Sequence, residues 1–331
     1  MVFPLLPSTV YRLLSTYYLI LDDWEDLHVK VLITGGSGML GRVLVRRLSE
    51  KEVVTAVSKS GREGTVVCDL VNEKALEALF CSTVFDVVIH TAAYSDVDGC
   101  ENNPGLAHES NALATKFLSR LCGLKKIPFI YVSTDYVFDG RKRSPYAESD
   151  KTCPVNVYGL TKLEGEYYAR SYPAFSVIVR TSWLFGAGNP RNFVNAIADR
   201  LRSEKTVRVL DDQEDAPTYV TDLSEALERA AVHLVSLFKK NPGGGFKEIF
   251  HVCNAGKATR LEMTLKIKEV LGLKNVSVER MDRSEIQNRA AVRPAYAVMS
   301  TRHYEDFFRC RMRPWEESLK EYLSAGAVCV S

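Results

Sequence analysis

Residues 29–48 read Val29-Lys30-Val31-Leu32-Ile33-Thr34-Gly35-Gly36-Ser37-Gly38-Met39-Leu40-Gly41-Arg42-Val43-Leu44-Val45-Arg46-Arg47-Leu48. A short apolar, β-branched run halts at Thr34, four glycines fall between Gly35 and Gly41, and Leu44, Val45 and Leu48 then resume at helical spacing. Strand, glycine turn and helix in that order form the context a dinucleotide fingerprint requires. Glycines let the backbone approach a pyrophosphate, and the helix start offers free N–H groups and the positive end of its dipole. The cofactor contacts predicted from this stretch are Gly35, Ser37, Gly38, Met39 and Leu40. The spacing is G-x-x-G-x-x-G in place of G-x-G-x-x-G, so a tight turn that holds no ligand is the alternative reading.

The next strand, Val53-Val54-Thr55-Ala56-Val57-Ser58, leads into Lys59, Ser60 and Arg62. An NAD-specific site usually carries an acid there for the ribose hydroxyls. Basic and hydroxyl groups suit a 2′-phosphate, so Ser58, Lys59 and Arg62 predict NADPH as cofactor, with NADH tolerated; the competing reading leaves Lys59 and Arg62 pointing into water. Strand and helix then alternate: a strand over 65–68 that ends at Asp69 and Leu70, a helix over 73–80, a strand over 85–90, a helix over about 104–125 and a strand over 129–133. This alternation predicts an α/β fold, a Rossmann-like doubly wound parallel sheet with its ligand crevice at the carboxyl ends of the strands. At those ends stand Thr91, Ala92 and Ala93, and then Thr134, Asp135 and Tyr136. Small residues there leave room for a flat cofactor, and hydroxyls can hold a carbonyl oxygen.

Among the 15 tyrosines only Tyr158 has a lysine four positions later, Lys162. Four residues are about one helical turn, so both side chains project from one face. A phenol titrates near 10, and an adjacent ammonium favours its ionised form; bringing it to about 7 takes roughly 4 kcal/mol. Tyr158 is therefore a candidate general acid, with Lys162 as the charge that lowers its pKa. A solvated Tyr-Lys pair is the plain alternative.

The 331 residues are 46% hydrophobic, enough for a large domain and a smaller lobe, and the net charge of +2 arises from interleaved acids and bases. That balance argues against nucleic acid as a partner. The 8 cysteines show no paired C-x-x-C spacing, which predicts reduced thiols and a cytoplasmic protein. Residues 1–28 form an N-terminal extension in which the apolar part is too short to span a bilayer and lacks a basic start. It reads as a docking helix or a non-native upstream extension, and no membrane association is expected.

Residues 222–239 show apolar positions at helical spacing, Pro242-Gly243-Gly244-Gly245 reads as a loop, and 248–252 as a strand. The predicted layout is a dinucleotide-binding domain over 29–185 to which 222–254 returns, with a smaller α/β substrate lobe drawn from 186–221 and 255–331. His251 reads as packed. Arg191, Arg260, Arg289 and Arg293 fall in the lobe, and any of them could meet a diphosphate or simply be solvated.

The glycine turn, Ala92-Ala93, Ser133-Thr134-Asp135-Tyr136-Val137-Phe138 and Tyr158-Gly159-Leu160-Thr161-Lys162 together resemble the extended short-chain dehydrogenase/reductases. Within them the chain is most similar to the dTDP-4-dehydrorhamnose reductase family, through Arg180-Thr181-Ser182-Trp183-Leu184-Phe185-Gly186, Asn192-Phe193-Val194, Asp211-Asp212-Gln213, Pro217-Thr218 and Arg293-Pro294. The resemblance covers residues 29–324. It implies NADPH-dependent reduction of a 4-keto-6-deoxy nucleotide sugar, carried by dTDP or UDP. Tyr158 would donate the proton, Lys162 also hold the nicotinamide ribose, and Thr134 orient the substrate oxygen. Trp183 would lie against the sugar, with Asp135, Tyr136, Asn192 and Arg293 on the substrate side. Metal-dependent dimeric members carry a glutamate two positions after the third glycine, where this chain has Val43 after Arg42; no metal is expected. The extension resembles a relative, the regulatory β subunit of methionine adenosyltransferase, which makes a methionine adenosyltransferase catalytic subunit the alternative partner.

Overall fold

The computed structural model describes residues 29–189, 192–282, 285 and 289–326. The N-terminal extension, Arg191 and Cys329 lie outside the described residues. β1 (Lys30–Thr34) is buried from Val31 onward and turns through the glycines into α1 (Met39–Leu48), whose Leu40, Leu44 and Leu48 face the core. Then come β2 (Val53–Ser58), β3 (Val66–Val67), α2 (Glu73–Ser82), β4 (Val87–His90) and α3 (Val97–Asn102). β3 is shorter than predicted because Thr65 belongs to the turn: its hydroxyl pairs with Ser58 Oγ at 2.7 Å and donates to the Arg62 carbonyl at 2.7 Å.

The helical run over 104–125 is not one α-helix. α4 (Pro104–Ala107) passes through a π-helical turn, His108–Leu113, into α5 (Ala114–Lys125). Buried Asn111 sits in that widened turn, accepting from the Tyr94 N–H at 2.8 Å and donating to Thr161 Oγ1 at 3.1 Å. Such turns concentrate near functional sites, and this one joins the loop after β4 to the helix that carries Tyr158.

β5 (Phe129–Thr134), α6 (Val157–Ser171) and β6 (Phe175–Thr181) follow, with Asn156 capping α6 by accepting from Gly159 N at 2.8 Å. Next are β7 (Leu184–Phe185), α7 (Phe193–Ser203), β8 (Thr206–Leu210), β9 (Glu214–Asp215), β10 (Thr218–Tyr219) and α8 (Val220–Lys240). The chain ends in β11 (Phe246–His251), β12 (Ala258–Thr259), α9 (Arg260–Val270), β13 (Ser277–Met281), α10 (Arg302–Phe308) and α11 (Trp315–Ser324).

Seven strands form one parallel sheet in the order β11-β6-β5-β4-β1-β2-β3. α8 returns to pack on α1, and β11 extends the sheet beside β6. Both faces are covered, one by α1 and α8, the other by α2 and α5. Each fully buried leucine, such as Leu44 or Leu227, contributes about 1.5–3 kcal/mol by leaving water. β8 pairs with β13 in parallel, and β9 pairs with β12 in antiparallel. No described helix is long and apolar enough to cross a membrane. Cys68, Cys81, Cys100, Cys122, Cys153, Cys253 and Cys310 carry no disulfide.

Candidate active site

The carboxyl ends of the strands open onto a cleft of about 950 Å³. Its floor is the glycine turn. Gly35 adopts φ +71°, and a Cβ there would meet the Ala92 backbone at 2.8 Å. A Cβ on Gly41 would collide with the Gly35 carbonyl. The turn therefore lies flat against Ala92, and α1 begins at Gly38 with no side-chain cap and no acid in its first turn. Its first amides are left without helical partners and face the cleft through Met39 and Leu40. Such donors fit a diphosphate. Arg42, next to the Val43 at which the metal-dependent pattern differs, braces the turn by donating from Nε to the Ser37 carbonyl at 2.9 Å. Among the described residues no group of three His, Cys, Asp or Glu side chains could hold a metal ion.

Ser58, Lys59, Ser60, Asp69 and Leu70 line the far end, beside Thr91, Ala92 and Ala93. Lys59 pairs with Asp69 at 2.9 Å while remaining 75% exposed, and the Ser58 hydroxyl is engaged by Thr65 and by the Gly61 amide at 3.0 Å. Arg62 does not line the cleft. Gly61, at φ +65°, starts a 3₁₀ turn over Arg62–Gly64 that carries it outward.

The opposite wall holds Thr134, Asp135, Tyr136, Tyr158 and Lys162. Thr134 ends β5, and α6 presents Tyr158 and Lys162 on one face, as the four-residue spacing predicts. The electrostatics differ from the sequence expectation. Burial drives the Tyr158 phenol well above its ordinary value, opposed by the neighbouring Thr134 hydroxyl and reinforced by Asp135. Lys162 Nζ donates to the Val132 carbonyl at 2.7 Å and lies 4.1 Å from the centre of the Tyr131 ring. Burial pushes Lys162 itself down to about 7, against the opposing charge of Glu166. An ammonium that is only 2% exposed is costly to keep charged.

That cost has a sign. In the unfolded chain Lys162 titrates near 10.4, so between pH 7 and pH 10 the unfolded state binds the extra proton and stability rises with pH. Lys162→Met is accordingly expected to stabilise the protein by several kcal/mol below pH 7, with the gain shrinking toward pH 10. Denaturant midpoints measured at pH 6, 8 and 10 test this, and a gain independent of pH would refute it.

On the substrate side, Trp183 lines the cleft from a strained backbone, φ +40°, and packs on Phe193 with ring centres 5.3 Å apart. A non-glycine residue held at positive φ often marks a functional position. Asn192 also lines the cleft, but its amide caps α7, accepting from Asn195 N at 3.1 Å and donating to the carbonyls of Gly186 and Asn189 at 3.0 and 2.7 Å. Asp135 is satisfied within the wall by the hydroxyls of Thr134 at 2.9 Å and Ser182 at 2.7 Å. Arg293 is absent from the cleft lining; its guanidinium binds Asp98 at 2.7 and 2.9 Å. Arg289 likewise pairs with Asp212 at 2.9 Å. His251 is buried and pushed down to about 3 by burial, a packed residue as predicted. Ser182 and Asp215 are among the cleft residues that the candidate list drawn from the sequence leaves out, while Arg260 lines the cleft as one of the four arginines singled out.

A glycine turn heading a parallel sheet, opposite a Tyr-Lys pair on one helix, defines a nucleotide-cofactor oxidoreductase of the short-chain dehydrogenase/reductase type. The model of the RmlD substrate binding domain matches residues 29–328, and the chain belongs to that family. It is 34% identical to dTDP-4-dehydrorhamnose reductase of Mycolicibacterium smegmatis over 89% of this chain and 85% of that protein. Spore coat polysaccharide biosynthesis protein SpsK of Bacillus subtilis is 33% identical over 89% of this chain and 96% of that one. The crystal structure of dTDP-4-dehydrorhamnose reductase from Bacillus anthracis in complex with NADP superposes with a TM-score of 0.80, at 29% identity, covering 90% of this chain and 100% of that one. None of these relatives is a methionine adenosyltransferase subunit, and that alternative gains no support from them.

Proposed function

We propose that the protein reduces the 4-keto group of a dTDP-linked 4-keto-6-deoxy hexose, with Tyr158 as the proton donor. NADPH, when bound, supplies the hydride. The observation that carries the reading is the placement of Thr134, Tyr158 and Lys162 on one wall, facing the uncapped start of α1 across a single cleft. Raised by burial, the Tyr158 phenol stays protonated at neutral pH. It can then give its proton to the alkoxide formed at the reduced carbon, a far stronger base. Lys162, brought to about 7 by burial, would hold the cofactor ribose with its Nζ, and Thr134 would steady the carbonyl oxygen. Trp183 supplies the sugar side from the larger domain, and Arg260 supplies it from the lobe. The cytoplasm is the proposed location, in keeping with the unpaired cysteines.

NADPH oxidation followed with dTDP-4-keto-6-deoxy-L-mannose, and in parallel with its UDP counterpart, tests the activity. Turnover of the dTDP sugar supports the reading; NADPH binding without oxidation by either sugar defeats it.

Cofactor choice rests on Lys59 alone, since Arg62 faces away from the cleft. A charge-assisted hydrogen bond contributes about 1.5–3 kcal/mol when shielded. Lys59 is 75% exposed and shared with Asp69, so the lower end applies. NADPH is expected to bind about tenfold more tightly than NADH, with Lys59→Ala removing that preference and Arg62→Ala leaving it intact. Fluorescence titration of both cofactors measures it, and equal affinities in the unmodified protein would contradict the assignment.

A further inference from the structure

Strand alternation separates two neighbouring acids. In β9 Glu214 turns outward to an ion pair with Lys257, while Asp215 points into the cleft and is only 6% exposed. The antiparallel pairing of β9 with β12 sets Ala258 opposite Asp215, and two residues on, Arg260 opens α9 into the same cleft. Each side chain leaves a buried polar atom without a partner, Asp215 Oδ1 and Arg260 Nε. Buried polar atoms are rarely left unsatisfied, and two of them on residues that line one cleft mark a place for a ligand group.

The charge of the wall selects the group. Asp135 lines the same cleft and has both carboxylate oxygens satisfied by hydroxyl donors. No such donor reaches Asp215 Oδ1. Burial raises the pKa of Asp215 and the Asp135 charge raises it further, against the opposing charges of Arg260 and Arg289. Two acids sharing one buried wall favour holding a proton between them. An anionic diphosphate is disfavoured beside this pair. A neutral sugar hydroxyl, which both donates and accepts, matches a carboxylic acid and a guanidinium N–H.

Resting on the reductase reading above, we propose that Asp215 and Arg260 are specificity-determining residues that read one ring hydroxyl of the keto hexose, held between Asp215 Oδ1 and Arg260 Nε. A site built to hydrogen-bond a hydroxyl rejects the analogue that lacks it, because its own buried groups are then left unpaired.

The test compares kcat/KM for the nucleotide-linked 4-keto hexose with its 2-deoxy and 3-deoxy analogues, in the unmodified protein and in Asp215→Ala, Asp215→Asn and Arg260→Met. The unmodified protein is expected to disfavour one deoxy analogue by about 10- to 100-fold. Asp215→Ala and Arg260→Met should collapse that ratio, through a larger loss of kcat/KM on the fully hydroxylated sugar than on the deoxy sugar, with the NADPH affinity retained. Asp215→Asn, which keeps a neutral donor and acceptor, should retain most of it. Since Asp215 leaves a buried atom unsatisfied, Asp215→Ala should not lower Tm. An unchanged ratio in Asp215→Ala, or an equal loss on all three sugars together with a lowered Tm, overturns the assignment. Failure of the unmodified protein to turn over any of the three defeats the reductase reading, and the hydroxyl assignment with it.

Discussion

Replacing Tyr158 by phenylalanine is expected to lower kcat on the keto sugar by about 10²- to 10⁴-fold and to leave the NADPH Kd unchanged. The substitution deletes one oxygen and keeps the ring, whose packing is an edge contact with Tyr136 at 5.9 Å and 76°. The fold should therefore survive. What disappears is the only phenol of the Tyr-Lys wall that stands beside Thr134 and one helical turn from Lys162. Tyr136 cannot substitute for it: its hydroxyl accepts from Gln213 Nε2 at 3.4 Å, and no lysine follows it one helical turn later. Single-turnover measurement of NADPH oxidation separates the chemical step from binding. A phenylalanine variant that reduces the sugar at the original rate would remove Tyr158 from the reaction.

Features of the site that depend on local spacing were legible in the sequence, and features that depend on which distant residues meet were not. Gly35, Gly38 and Gly41 announce a close backbone approach because only a missing Cβ permits it, and the structure places Ala92 against that turn. Tyr158 and Lys162 share a face because a helix repeats near four residues. Spacing says nothing of burial, however, and burial raises the phenol and lowers Lys162, against the direction the spacing suggests. Ion pairs hide the arginines in the same way. Arg293 answers to Asp98, and Arg180 to Glu166, across chain separations that carry no local signal. The choice between Glu214 and Asp215 hangs on the register of two-residue strands, which a pair of adjacent acids cannot disclose. Arg62 falls outside the cleft lining because the left-handed turn at Gly61 redirects the chain just after Ser58, Lys59 and Ser60 have lined it.

Arg180 carries the second large effect, on stability. It lies on β6 beside β5, with side chains of Arg180 and Glu166 only 3% and 4% exposed. Nε and one terminal nitrogen each donate to a Glu166 oxygen at 2.8 Å, and Ser133 Oγ donates to the same carboxylate at 2.6 Å. Removing one member leaves the other charged and unpaired in the core, a cost of about 3–5 kcal/mol. Arg180→Met and Glu166→Leu are each expected to destabilise by that amount, whereas the double variant, which buries no charge, should lose less than either single change. Denaturant midpoints across the four proteins measure the coupling, and additive losses would show that the pair is not one unit. Glu166 also stands one turn beyond Lys162 and holds its pKa up. In Glu166→Gln the Lys162 ammonium should therefore surrender its proton at lower pH, shifting the alkaline limb of kcat/KM toward acid. A purely structural carboxylate would leave that limb where it is.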